Sequence, residues 1–563
     1  MKGRENDMQT KIVSSLEKCF LTSDIQSFTA LTKEAIFKNQ EFSFQLLIYS
    51  EDIFGAYAKL EIVPEIESEL ASCITMREVV NIPCEMPVLP TADEGIVCGK
   101  PGLFPDLLRP LKYDGVMRIP HQQCRALYFT VKPEGKFVGD FDITIKLYKA
   151  KYDRGLKKSE FACEEKLALS IKDAMLPPQE LMVTQWFHAD CLADYYNVPV
   201  FSDRHFEICE SFIKTAVAGG RNMLLLPLLT YSLDIHPGGY RTTVQLIDVY
   251  KNGDGYTFGY DNLDRWLDMC NRNGIKYYEV CHLFSQWGAT ATPKVMAYEN
   301  GEYKRIFGWD TDPLSDEYKT FLRSFIKGFI DHMKERGEDK KCWFHISDEP
   351  ITEHIPQFKA VKAIIGDLIE GYHHIDALSH YEFYEQGLVE TPVPATCAIK
   401  PFIENNVPDL WCYYCGNHDR GVSNTQLSMS LARTRSIGIQ MFKYNIKGFL
   451  QWGYNFYNNC LSYDMVDPYL DSCGEGFVPG GDTYAVYPAP DGTPYESIRF
   501  RAFYEAMEDM RAMNYAQSLY SHEEVVAAIE EIAGTVVFDK CILDSDTMLR
   551  IRRKIDEMIF DKL

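Results

Sequence analysis

The chain opens in stretches where hydrophobic and polar residues alternate, and its rhythm changes near residue 180. EFSFQLLIYS (41–50) alternates and then becomes continuously apolar. AYAKLEIV (56–63) comes next, and RALYFTVKPEGKFVGDFDITIKLYKA (125–150) holds two alternating runs around a loop with Pro133, Gly135 and Gly139. Period-two patterning with turn residues between the runs predicts an antiparallel β-sandwich over residues 1–175. Pro177-Pro178 reads as the boundary.

Beyond the boundary, apolar runs of strand length alternate with amphipathic helical stretches. The runs are 181–188, 223–230, 275–284, 342–347, 374–380, 409–414, 447–453 and 483–487. Helical patterns fall between them at 203–218, 260–273, 315–336, 353–370, 424–441 and 497–512. Eight strands with intervening helices predict a (β/α)₈ barrel over 176–515, although a doubly wound sheet shares the alternation. Residues 516–563 carry two short helical patterns, EEVVAAIEEI and DTMLRIRRKIDEMI, and read as a C-terminal helical extension. The length of 563 residues fits such a multidomain chain.

Composition narrows the function. Lys+Arg is 58 and Asp+Glu is 81, a net charge of −23. That argues against sequence-independent nucleic-acid binding, which needs basic surface, and against docking on anionic membrane. The longest apolar run, MLLLPLL (223–229), is too short to span a bilayer. MKGRENDMQTKIVSSLEKCF has no apolar core of signal-peptide length. The 17 cysteines are scattered without framework spacing, so reduced thiols and a cytoplasmic location are expected. Cys412 and Cys415 with His418 lack a fourth zinc ligand of matching spacing. The glycine-rich GGYRT and NGDGYTFG, like ENGEYKR, read as hairpin turns or rim loops rather than phosphate loops. No metal and no cofactor are expected. The acidic surface and the sandwich permit a homodimer without demanding one.

A barrel builds its active site at the C-terminal ends of its strands. The first run ends in Trp186, His188 and Asp190; the third in His282, Gln286 and Trp287; the fourth in His345, Asp348 and Glu349; the fifth in His380, Tyr381 and Glu382. The sixth ends in Tyr413, Tyr414, Asn417 and His418; the seventh in Gln451, Trp452, Tyr454, Asn455 and Tyr457; Asp482, Tyr484 and Tyr487 accompany the eighth. Aromatic faces, carboxylates and amides together suit sugar rings and their hydroxyls. The candidate sugar contacts are His188, Asp190, His282, Trp287, Tyr414, Trp452, Tyr454 and Asp482. The competing reading makes the histidines hydrogen-bonded wall residues and the aromatics packing groups. Arg499, on the last barrel helix, reads as the structural partner of an acid.

CWFHISDEP (342–350) places Asp348 and Glu349 side by side where a strand should stop. Neighbours on a regular strand face opposite ways. Once the backbone leaves the pleat they need not diverge, and Pro350 biases Glu349 toward extended geometry. Two close carboxyls cannot comfortably both ionise, so one becomes an acid near neutral pH. The alternative is helix capping by Ser347 or Asp348. Retaining glycosidases usually set acid and nucleophile about 5–5.5 Å apart on different strands. Barrels of one large clan place them at strands 4 and 7, but the seventh run here, FLQWGYNFY, has no acid. A 2-acetamido sugar supplies its own nucleophile. One acid then protonates the leaving group while its neighbour steadies the acetamido nitrogen.

WFHISDEP resembles the catalytic signature of glycoside hydrolase family 123, the domain-of-unknown-function 4091 group. EFSFQLLI is similar to the opening of that family's sandwich, GFLQWGYNFY to its Trp-containing seventh strand, and residues 479–511 to its closing segment. The ordered set, spanning residues 40–515, is more specific than any one segment. The resemblance implies an exo-acting, retaining, substrate-assisted β-N-acetylgalactosaminidase. It makes Asp348 the acetamido-stabilising carboxylate and Glu349 the general acid/base. The partner expected is an oligosaccharide or glycoconjugate ending in β-linked N-acetylhexosamine. Two alternatives remain: a glycosidase with its own carboxylate nucleophile, such as Glu382 or Asp482, and a non-catalytic carbohydrate-binding protein on a hydrolase frame.

Overall fold

The computed structural model describes residues 8–51, 59–112, 115–152 and 156–563. Its N-terminal region is two five-stranded sheets. One runs Met8–Ser14, Phe42–Ser50, Gln123–Val131, Ile74–Cys84, Gly102–Pro110 in space; the other runs Lys33–Phe37, Leu156–Lys172, Gly139–Tyr152, Lys59–Glu67, Met117–Pro120. Neighbours are antiparallel, except that Lys33–Phe37 lies parallel to Leu156–Lys172. The two alternating runs of 125–150 therefore belong to different sheets. Of the run 56–63, residues 56–58 lie outside the described residues and the rest fall in Lys59–Glu67. Alternation sends Phe44, Leu46, Leu127 and Phe129 of one sheet against Ile62, Ile143, Ile145 and Leu167 of the other in one buried cluster.

The central part is a nearly closed barrel of eight parallel strands. They are Met182–Gln185, Met223–Leu226, Tyr277–Val280, Cys342–Phe344, His373–Ala377, Thr391–Val393, Trp411–Tyr413 and Gly448–Gln451. The first strand pairs with the eighth from Met182↔Gly448 to Gln185↔Gln451. Among the described residues the sixth and seventh meet through the single bridge Ala395↔Tyr413.

Two expectations are corrected by this barrel. Thr391–Val393 is a barrel strand that the hydrophobic pattern does not announce. It is three residues long and includes Pro392, and proline ordinarily argues against a central strand. The run 483–487 is not a barrel strand: Val486–Pro488 pairs antiparallel with Pro494–Glu496. The runs 409–414 and 447–453 are therefore the seventh and eighth strands.

Helices Asp203–Ala218, Asp261–Arg272 and Asp316–Glu335 lie where the helical period placed them. The pattern over 353–370 yields only Ile355–Lys362. That over 424–441 begins at Leu431, capped by Ser430, because Asn424 and Gln426 instead donate to the loop carbonyls of Cys415 (2.8 Å) and Gly416 (2.9 Å). NGDG and ENG turn two hairpins of a small four-stranded sheet, Asp248–Asn252, Gly255–Gly259, Val295–Glu299 and Glu302–Phe307. Among the described residues no helix is long and apolar enough to cross a membrane.

Buried ion pairs join the sandwich to the barrel. Arg499 grips both oxygens of Asp106 at 2.8 and 2.9 Å, and Tyr487 donates to the same carboxylate at 2.5 Å. Arg501 pairs with Glu41 at 2.7 Å. Helices His522–Ala533 and Ser545–Phe560 close the chain, and Arg553 of the last reaches Glu34 at 2.7 Å.

Candidate active site

The fourth strand stops after Phe344, and its neighbours pin the residues beyond it. The Ile346 N–H donates to Asp376 Oδ1 (3.0 Å), the Ser347 hydroxyl to the Ser285 carbonyl (3.0 Å), and the Glu349 N–H to the Ala377 carbonyl (3.0 Å). The Asp348 carbonyl accepts from the Trp287 N–H at 3.0 Å. Held on both sides, Glu349 takes φ = 42°, a left-handed conformation that costs a non-glycine residue about 1–3 kcal/mol. This corrects the extended geometry expected from Pro350. The left-handed turn, not the proline, brings both carboxyls to one cavity. Neither Ser347 nor Asp348 caps a helix, since the next helical turn starts after Ile351.

The cavity is about 120 Å³. Trp186, Trp287, Tyr413, Trp452 and Phe477 form its aromatic wall, and Asp234, Asp348, Glu349 and Asp482 its acids. Tyr413 Oη donates to Glu349 Oε1 at 2.5 Å. Asp482 Oδ2 accepts from Trp452 Nε1 at 2.7 Å. The Asp234 carboxylate has no hydrogen-bond partner among the described side chains and faces the cavity. Burial, then the neighbouring charges of Glu349 and Asp234, push Asp348 well above the usual carboxylate range, against the pull of His345. Burial also lifts Asp234 to about 7, helped by Glu349 and Asp482 and opposed by Arg241. Asp482 is raised to about 6 by burial, against the Trp452 hydrogen bond.

Of the candidate catalytic and sugar-contact residues, the fold brings Asp348, Glu349, Trp287, Trp452 and Asp482 to the cavity, and of the remaining strand-end residues it adds Trp186, Tyr413 and Asn417. Trp287 is the most open, 49% exposed. The other candidate sugar contacts stand behind the wall. Asp190 holds Arg241 through both oxygens at 2.6 and 2.8 Å. His188 accepts from Arg241 at Nδ1 (3.0 Å) and donates from Nε2 to the Trp452 carbonyl (2.9 Å), so it braces Trp452 rather than meeting a ligand. His282 is buried, stacked on His345 at 4.4 Å. Tyr414 packs on Phe449, and Tyr454 turns away to donate to the Phe212 carbonyl at 2.9 Å. Tyr414 is the wrong member of its pair: along a strand the faces alternate, and Tyr413 is the one that faces the cavity.

Asp234 is a site residue that the strand-end pattern does not announce. It lies eight residues past Leu226, in YSLDIH, on a loop rather than at the exit of the second strand. Glu382 is exposed on a short helix outside the cavity. Cys415 and His418 approach to 3.9 Å while Cys412 is buried in its strand. Among the described residues no three His, Cys, Asp or Glu side chains converge as metal ligands. A larger groove of about 710 Å³ lies between the strand Lys33–Phe37 and the last helix. Its acids Glu34 and Asp556 are paired with Arg553 and Arg552.

A family model described as the glycoside hydrolase 123 catalytic domain matches residues 186–516. Among solved structures, the chain is similar to a family 123 glycoside hydrolase from Clostridium perfringens, described for glycolipid glycan hydrolysis. The identity is 13% and the TM-score 0.75, over 99% of this chain and 98% of that one. At that identity the likeness is one of fold. A GH10 xylanase from Thermobacillus composti aligns at 10% identity and TM-score 0.27, over 58% of this chain and 97% of that one, and carries no argument. No curated protein sequence matches the chain.

Proposed function

The chain belongs to glycoside hydrolase family 123, and from that premise we propose that it removes terminal β-linked N-acetylgalactosamine with retention, using the substrate's own acetamido group as nucleophile. In this reading Glu349 protonates the glycosidic oxygen while the acetamido carbonyl attacks the anomeric carbon. Asp348 accepts the acetamido N–H and steadies the positive charge that develops. Glu349 then takes a proton from the water that opens the cyclic intermediate. The Tyr413 hydroxyl orients Glu349, and Trp186, Trp287 and Trp452 supply faces for the sugar ring.

One observation carries the reading. Asp348 and Glu349 line the cavity together, and the seventh and eighth strands end in no acid. Tyr413 closes the seventh strand, and Gln451 closes the eighth, its Oε1 accepting from Gln185 (2.7 Å) and from the Gly453 N–H (2.8 Å). Asp482 is occupied by Trp452. The second reading, a glycosidase with its own nucleophile, draws on Asp234, whose carboxylate is free of side-chain partners among the described residues.

The test is a panel of chromogenic β-glycosides of N-acetylgalactosamine, N-acetylglucosamine, galactose and glucose with one leaving group. Cleavage confined to the acetamido sugars is expected, with N-acetylgalactosamine ahead. Equal cleavage of the 2-hydroxyl sugars would hand the nucleophile to Asp234. A glycolipid-type glycan is the natural second substrate, given what the Clostridium perfringens enzyme is described as hydrolysing.

A further inference from the structure

Beside the Asp348-Glu349 dipeptide runs a chain of buried polar groups drawn from four barrel strands and their exits. Trp186 Nε1 donates to Glu279 Oε2 at 2.9 Å. His345 Nε2 meets the same Glu279 oxygen at 2.9 Å, and its Nδ1 meets Asp376 Oδ1 at 3.3 Å. His374 Nε2 lies 3.0 Å from Asp376 Oδ2. Glu279, His345 and Asp376 are completely buried. The chain begins at Trp186 in the cavity wall, and His345 precedes Asp348 by three residues on the same strand exit.

An ionised carboxylate only accepts hydrogen bonds. Both ring nitrogens of His345 face carboxylate oxygens, so both carry hydrogen and the ring is an imidazolium. A buried cation needs paired charge, and Glu279 and Asp376 provide it from the flanking strands. The ring stacked on it, His282, has an Nε2 without a partner, consistent with a neutral imidazole beside a cation. Burial opposes the charge on His345, but the bonds to Asp376 and Glu279 outweigh it and lift the ring to about 9. Burial and then the charge of His345 push His282 well below its ordinary value.

We propose that His345 is a positioning residue: a buried imidazolium, locked between Glu279 and Asp376, that partly offsets the crowding of carboxylates around Asp348, so that Asp348 gives up its proton more readily than it would beside a neutral side chain. Glu349 and Asp234 line the same cavity as Asp348, and His345, at the strand exit three residues before it, is bonded to Asp376; these four are the charges that act on Asp348. Three are acids; His345 alone among them carries positive charge. Remove it, and Asp348 holds its proton to higher pH, so the acetamido nitrogen loses its anionic partner. The second half of this inference rests on the role proposed for Asp348; the first half, the imidazolium, does not.

The test therefore has two arms on the full-length chain. In histidine-labelled protein at pH 7, ¹⁵N NMR should show a ring with both nitrogens protonated, absent from His345→Gln. A neutral ring at pH 7 overturns the proposal. In the second arm, the acid limb of the kcat/KM profile on the N-acetylgalactosaminide should move up by about one pH unit in His345→Gln. A lower rate with an unmoved limb means a merely structural role and also overturns the proposal. Absence of any acetamido-sugar hydrolysis by the native chain would sink the proposed function and leave the NMR arm to decide the imidazolium. Should His345→Gln fail to fold, Glu279→Gln serves. Both bonds to Glu279 fall on Oε2 while Oε1 has no partner, so the amide can keep both bonds and lose only the charge. The imidazolium must then lose its proton at lower pH than in the native chain, and an unchanged titration refutes it.

Discussion

In the proposed mechanism Glu349 and Asp348 divide the chemistry, and their amide variants separate the two roles. Glu349→Gln is expected to lose about 10²–10⁴-fold on poor leaving groups and much less on activated ones, measured as kcat on matched aglycones. Asp348→Asn should lose on the order of 10²–10³-fold in kcat while product still binds. Normal turnover by either variant would remove its assigned role. Asp234 makes a different prediction. Its carboxyl is raised to about 7, against about 3.9 in an unfolded chain. The folded state thus holds the proton more tightly. The stability this confers is fully present below about pH 4 and is lost as pH rises through about 7. Asp234→Asn should flatten that fall, with Tm near pH 8 higher by about 1 °C for each kcal/mol recovered in a chain of this length. A Tm that tracks the native chain from pH 4 to 8 would show that Asp234 is not held protonated. Activity should drop in the same variant, the trade expected of a strained acidic site.

The elements that carry the site are short strands whose exits are held by neighbours. The eighth strand passes into Trp452 and Gly453, where the chain runs against the segment bearing Asp482. A β-carbon at Gly453 would stand 2.5 Å from the backbone oxygens of Asp482 and Thr483. Neither oxygen can rotate away as a side chain would. Gly453→Ala should therefore shift both Trp452 and Asp482, lowering Tm by several degrees and raising KM for the sugar more than it lowers protein yield. An unchanged KM would mean that Trp452 and Asp482 do not contact substrate. The strand pattern also shows where local rules stop. Seven of the eight barrel strands coincide with apolar runs, whereas Thr391–Val393 is too short and too proline-rich to stand out. Its neighbours define it: it pairs with the fifth strand from Ile375↔Thr391 to Ala377↔Val393, and the chain just beyond it meets the seventh at Ala395↔Tyr413.

Across the whole molecule, sandwich and barrel are joined through desolvated ion pairs. Arg499 and Asp106 are buried on opposite sides of the seam, with Tyr487 on the same carboxylate. Breaking a buried pair on one side leaves an uncompensated charge and costs about 3–5 kcal/mol. Arg499→Met should lower Tm strongly, and Arg499→Met with Asp106→Asn should recover part of the loss. If the double variant is no better than the single, the pair is not what joins the halves. Arg499 also donates to the Gly481 and Tyr484 carbonyls, so the loop bearing Asp482 should loosen with it.

Sequence alone determined the order of the layers and the barrel class and drew attention to the Asp348-Glu349 pair, because hydrophobic period and a run of specific residues are properties of the chain itself. The acidic balance likewise came from counting. What only the tertiary structure decided is which side chains share a cavity. Tyr413 rather than Tyr414 reaches Glu349 because facing direction at a strand end depends on register. Asp234 arrives from a loop whose path no period records. His345 becomes a cation because two carboxylates from neighbouring strands, 66 and 31 residues away along the chain, meet its two nitrogens. Charge and protonation are set by distances through space, and those distances exist only once the barrel has closed.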